Sequence, residues 1–142
     1  MPRAAAIADL GVAVSPRDKV GVLVVDDQLV FRQVAREVIE ATEAFELLGF
    51  ATSGKHALAA VEELEPDLVL LDVRMPGMGG IETAKLIGSS PFDPVVILIS
   101  VEERPNLPAG IESSGAAALV RKQDFGPAML RRVWRTHGGA RR

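Results

Sequence analysis

Three stretches of the chain are apolar almost without interruption: KVGVLVV at residues 19–25, DLVLL at 67–71 and PVVILIS at 94–100. A strand with one wet face alternates apolar and polar residues, whereas a continuous run reads as a strand covered on both faces. Strands of that kind belong to parallel sheets sandwiched between helices. This is the strongest constraint on what the chain can fold into.

The segments between these runs supply the helices. Residues 28–42 place Leu29, Phe31, Val34, Ala35, Val38 and Ile39 at helical spacing. FELLGFA, 45–51, reads as a second strand, and residues 54–64 carry Ala57, Ala60, Val61 and Leu64 on one helical face. Residues 80–88 read as a third helix. AALVR, 117–121, is a short fifth strand. A final helix is expected to open at Asp124 as N-cap, with Pro127 in its first turn and Phe125, Met129, Leu130, Val133 and Trp134 as its apolar stripe. Five strands alternating with helices imply an α/β parallel sheet covered on both faces. VEERPNLPAGIESSG resists the pattern, because Pro105 and Pro108 cannot both lie inside one helix. The spacing therefore predicts a short fourth helix, little more than two turns, starting near Pro108.

A chain of 142 residues defaults to one domain with a sizeable core. We expect that domain over residues 19–137, with residues 1–18 and 138–142 as tails; the first of these lacks the compact apolar core of a signal peptide. The net charge of −3 supplies no broad basic field, so direct nucleic-acid binding is not expected. The absence of cysteine excludes disulfides, thiol catalysis and cysteine-based zinc sites, and fits a reducing cytoplasm. No apolar run approaches the length of a membrane span.

Polar and charged residues stand at the strand ends. Asp26 and Asp27 follow the first strand, Asp72 the third, Ser100 closes the fourth, and Lys122 follows the fifth. In an open parallel sheet, ligands bind beyond the carboxyl ends of the strands. The pattern therefore brings three carboxylates, a hydroxyl and an ammonium to one edge. Crowded carboxylates favour a hard divalent cation such as Mg²⁺. A carboxylate beside a cation and a lysine suits acyl-phosphate chemistry. The loop after Asp72, VRMPGMGG, joins a stiff proline to glycines that permit a sharp turn.

VLVVDD, LLDVRMPGMGG, ILIS and GAAALVRK, in this order and at these intervals, resemble the receiver domain of two-component response regulators over about residues 19–137. The resemblance implies a flavodoxin-like, three-layer fold with strand order 2-1-3-4-5. It implies that Asp72 is the phosphate acceptor, that Asp27 ligates Mg²⁺ directly with Asp26 beside it, and that the Arg74 backbone carbonyl is a further ligand. It implies Ser100 as the switch hydroxyl and Lys122 as the lysine that pairs with phosphate. The implied phosphodonor is a histidine kinase or histidine phosphotransfer protein. The implied output is a downstream protein docked on the face of helix four, strand five and helix five, or onward relay of the phosphoryl group.

The expected role is thus a stand-alone signalling protein rather than an enzyme acting on free substrates. An adaptor that works by contact without phosphorylation, and a piece of a longer response regulator, are the alternatives. A hydrolase of the related aspartyl-nucleophile fold would carry a second acid two residues after the nucleophile, where this chain has Arg74. Four departures from the family pattern stand out: Gly79 where an acid or asparagine usually opens helix three, Val101 in place of a smaller alanine, Leu119 in place of an aromatic residue, and Gln123 in place of proline. A trans Lys122–Gln123 peptide is expected, since a non-proline cis bond costs about 2.5–4 kcal/mol. Arg74 and Glu102 both flank the site, and two readings of them stand side by side: an exposed ion pair, or groups that tune the access of water and donor. Arg131, Arg132, Arg135, Arg141 and Arg142 read as a solvated face with a tail.

Overall fold

The computed structural model describes residues 18–103 and 106–138. Five strands form one parallel sheet: β1 (Val20–Val25), β2 (Phe45–Ala51), β3 (Leu68–Asp72), β4 (Val95–Ser100) and β5 (Ala118–Arg121). Their order is β2-β1-β3-β4-β5. All four ladders are parallel. Four α-helices are present among the described residues: α1 (Leu29–Ala41), α2 (Gly54–Leu64), α3 (Gly80–Gly88) and α4 (Pro127–His137).

The period of two along each central strand divides the core between the two faces. Val22, Val24, Leu68, Leu70, Ile97 and Ile99 meet Phe31, Ala35 and Ile39 of α1 and Met129, Leu130 and Val133 of α4. The alternate residues, among them Leu23, Val25, Val69, Leu71, Val96 and Leu98, meet Ala57, Ala60 and Val61 of α2 and Ala84 and Ile87 of α3. Every residue of β1, β3 and β4 is buried, as the continuous apolar runs require. β5, at the edge, is half-buried throughout.

Three sequence expectations are corrected. No α-helix lies near Pro108; the described residues between β4 and β5 form bends and turns, with one residue, Asn106, in 3-10 conformation. Gly110 and Gly115 hold positive φ (101° and 89°). The Ser113 and Ser114 hydroxyls donate to the carbonyls of Gly110 and Ile111, so side chains satisfy groups that a helix would otherwise use. Pro105 lies outside the described residues. Asp124 does not cap the last helix: it ends a 3-10 helix, Lys122–Asp124, and Gly126 is the N-cap residue of α4. Leu29 and Val34 are not part of the buried stripe of α1; they are 58% and 43% exposed, because the sheet contacts the Phe31–Ala35–Ile39 row. The expected tails, residues 1–18 and 138–142, fall outside the described residues apart from Asp18 and Gly138, so Arg141 and Arg142 do as well. No helix among the described residues is long and apolar enough to cross a membrane.

Candidate functional site

The carboxyl ends of β1, β3, β4 and β5 bring together Asp26, Asp27, Asp72, Ser100 and Lys122, the five residues the strand ends singled out. Carboxylate oxygens of Asp26, Asp27 and Asp72 lie within 4.8 Å of one another. Asp26 is fully buried and Asp72 nearly so, whereas Asp27 is exposed.

The backbone around Asp26 fixes it. Its N–H donates to the Ala51 carbonyl at 3.0 Å, and its carbonyl accepts from Arg32 Nη1 at 2.9 Å. Asp26 Oδ1 accepts the Gln28 N–H at 2.8 Å, which satisfies one open donor at the start of α1. Asp26 Oδ2 has no aligned hydrogen bond, yet Lys122 Nζ sits 2.7 Å away. Its partner is therefore a charge, held off the ideal hydrogen-bond direction. The same ammonium is 3.6 Å from Asp72 Oδ2.

Asp72 ends β3, and the loop behind it is built around close contacts. Gly80 N–H donates to the Val73 carbonyl at 2.9 Å. A Cβ on Gly80 would overlap the Asp72 carbonyl oxygen and lie 2.8 Å from Val73 Cα, so only glycine fits there. Gly77 takes φ 74°, the left-handed turn that the Met75–Pro76 corner needs. Gly79 opens α3 without a side-chain cap. Arg74 N–H points back to Asp72 Oδ1 at 3.3 Å. Burial, then the Asp26 charge, push the Asp72 carboxyl up to about 6; the Lys122 ammonium and the Arg74 N–H pull the other way.

Ser100 Oγ accepts the Glu102 N–H at 2.9 Å, which leaves its own hydrogen available to donate. A depression of ≈ 240 Å³ opens between Asp72, Ser100, Val101 and Lys122. Val101 stands 65% exposed at its rim. Leu119, on β5, packs under the loops on the α2–α3 side. The Lys122–Gln123 peptide is trans.

The Arg74–Glu102 pair is formed, Nε to Oε1 at 2.6 Å, and Arg74 Nη2 also donates to the Asn106 carbonyl at 3.0 Å. Both side chains are partly solvated, so the pair is worth about 0–1 kcal/mol. Its effect is geometric, tying the β4–β5 loop to the loop after β3. Sequence reasoning missed the Asn106 bond and one further neighbour, Phe31, whose ring lies 4.6 Å from Lys122 Nζ. The available signal for Phe31 was its place on the buried stripe, four residues beyond Asp27.

The donor set suits a hard cation. Three carboxylates converge, one is open to solvent, and a buried carboxylate oxygen lacks an aligned donor. Asp26, Asp27 and Asp72 could hold Mg²⁺.

The profile of the response regulator receiver domain matches residues 22–133. The chain belongs to this family. Receivers are signalling domains of two-component systems, phosphorylated on an aspartate, and they bind Mg²⁺ at an acidic pocket. The transcriptional regulatory protein YdfI of Bacillus subtilis is 37% identical over 100 residues, 70% of this chain and 47% of that protein. The response regulator GacA of Pseudomonas aeruginosa is 36% identical over 121 residues, 84% of this chain and 56% of that protein. This receiver thus spans about half the length of those relatives. The response regulator domain of Thermotoga maritima CheB superimposes with a TM-score of 0.73 at 26% identity, covering 82% of this chain and 95% of that one. The strand order 2-1-3-4-5 implied by the motifs is the order observed.

Proposed function

We propose that this receiver takes a phosphoryl group on Asp72 from the phosphohistidine of a histidine kinase or phosphotransfer protein in the cytoplasm, and that the change alters contacts with a downstream protein. The observation that carries the reading is the pairing of a buried, rigidly delivered Asp72 with a lysine ammonium at 3.6 Å and two more carboxylates alongside. An Asp72 carboxylate oxygen attacks phosphorus as the phosphorus–nitrogen bond to the donor imidazole breaks, and the imidazole keeps that electron pair. Lys122 shifts from Asp26 toward the new phosphoryl oxygens. Ser100 Oγ–H donates to one of them. Asp26, Asp27, Asp72 and the Arg74 backbone carbonyl would hold Mg²⁺, which when bound neutralises charge spread over the phosphoryl oxygens.

The chemistry is confined to the protein's own aspartate, consistent with a basic residue, Arg74, where a hydrolase would carry its second acid. Val30 and Val34 on α1, with Val101 opposite, form an exposed apolar strip beside Lys122, suited to the donor's helix. The downstream face comprises β5, α4 and the irregular 106–117 loop, which takes the place of the expected fourth helix.

Intact mass after incubation with Mg²⁺ and a small phosphodonor tests the reading. The wild type should gain one acid-labile phosphoryl group and Asp72→Asn none. Labelling of the Asp72→Asn protein at the wild-type rate would sink the assignment. A second reading, that this receiver is one part of a longer response regulator, is favoured by its span of about half of YdfI and GacA.

A further inference from the structure

Lys122 carries its charge on a long, flexible stem, and two carboxylates alone do not define where that charge sits. The third contact is aromatic. The Phe31 ring centroid lies 4.6 Å from Lys122 Nζ, inside the range of a cation–π attraction. Phe31 is buried on α1, and its ring also packs on Phe125 at 5.6 Å with a 53° tilt. Phe125 follows the 3-10 helix that Lys122 begins. One side chain therefore touches both ends of the segment that carries the lysine.

We propose that Phe31 is a positioning residue for phosphoryl transfer: its ring face holds the Lys122 ammonium between Asp26 and Asp72, poised to reach the incoming phosphoryl group. This inference rests on the reading of Asp72 as acceptor. The lysine side chain is only 12% exposed, so it has given up most of its water, and a ring quadrupole attracts a desolvated ammonium more strongly than a hydrated one. A ring offers negative potential over a broad face without a formal charge. It can follow the ammonium from Asp26, where it rests at 2.7 Å, toward Asp72 without adding a fourth carboxylate to a crowded site. An aliphatic side chain of similar volume would pack against Phe125 but leave that side of the ammonium facing hydrocarbon.

The test compares wild type, Phe31→Leu, Phe31→Tyr and a chain with trifluorinated phenylalanine at position 31, whose ring keeps its shape but loses most of its negative face. Phosphorylation of Asp72 by acetyl phosphate at saturating Mg²⁺ gives the rate. Tyrosine should preserve it within about 2-fold and leucine should lower it roughly 2- to 30-fold, the span of a partly to fully desolvated cation–π contact. The fluorinated ring should fall between them, with Mg²⁺ affinity unchanged. Independently of any labelling, the Lys122 side-chain protons should show an upfield ring-current shift that Phe31→Leu removes. A wild-type rate in the fluorinated protein overturns the inference, because packing alone would then explain the leucine effect. A wild type that takes no label overturns the proposed function instead, and the ring-current shift then decides the placement of the lysine.

Discussion

Asp72→Asn should make the metal-free protein more stable at neutral pH. The Asp72 carboxyl is raised from 3.8 to about 6, chiefly by burial and by the neighbouring Asp26 charge. Because the folded value lies above the unfolded one, the fold favours the protonated form. That contribution is fully present below about 3.8 and is lost as pH rises through about 6. The cost of ionised Asp72 then levels off at roughly 3 kcal/mol, from about two pKa units at 1.36 kcal/mol each. Asparagine removes the charge but serves both Lys122 and the Arg74 N–H with one oxygen, a loss of about 1 kcal/mol. The net gain at pH 8 is about 1–3 kcal/mol. Urea denaturation in EDTA at a series of pH values checks it. The charge-dependent part of the advantage should fall to about half at pH 5 and to under about 1 kcal/mol at pH 4. A variant no more stable than wild type at pH 8, or an advantage that does not change with pH, would refute the account of Asp72 as a buried and electrostatically crowded carboxylate.

Millimolar Mg²⁺ should raise the melting temperature of the wild type, since a ligand of the folded state stabilises it by mass action, and Asp27→Ala should remove most of that rise. Gly80→Ala should destabilise by about 1–3 kcal/mol or more in chemical denaturation and lower Asp72 phosphorylation, because the new Cβ meets the Asp72 carbonyl directly. A variant as stable as wild type would show that the β3–α3 loop can retreat. Ser100→Ala should leave phosphorylation possible yet uncouple it from amide shifts on β5 and α4, whereas Leu119→Ala should cost packing only, by about 2–5 kcal/mol at most. The opposite outcome would route the switch through residue 119.

Much of this protein was legible in its sequence, because the signals were local and redundant. KVGVLVV, DLVLL and PVVILIS read as strands covered on both faces, and they are. A chain that alternates such strands with amphipathic helices carries every strand-end residue to one edge, so Asp26, Asp27, Asp72, Ser100 and Lys122 could be assembled from position alone. The glycines after Pro76 announced a tight turn. Features that depend on non-local competition were decided only by the tertiary structure. The spacing near Pro108 permitted a short helix, but left-handed glycines and serine hydroxyls bonded to nearby carbonyls gave the backbone a different solution. Asp124 had the chemistry of a cap, yet the chain turns through a 3-10 helix that brings Phe125 against Phe31, and the α4 N-cap passes to Gly126. Leu29 and Val34 matched the helical period, but which side of α1 meets the sheet depends on how the helix docks. The preference of Lys122 for Asp26 over Asp72, and its third contact with Phe31, joins residues from β1, β3, α1 and the end of β5. No local pattern encodes that meeting, because it exists only once the sheet has ordered its strands.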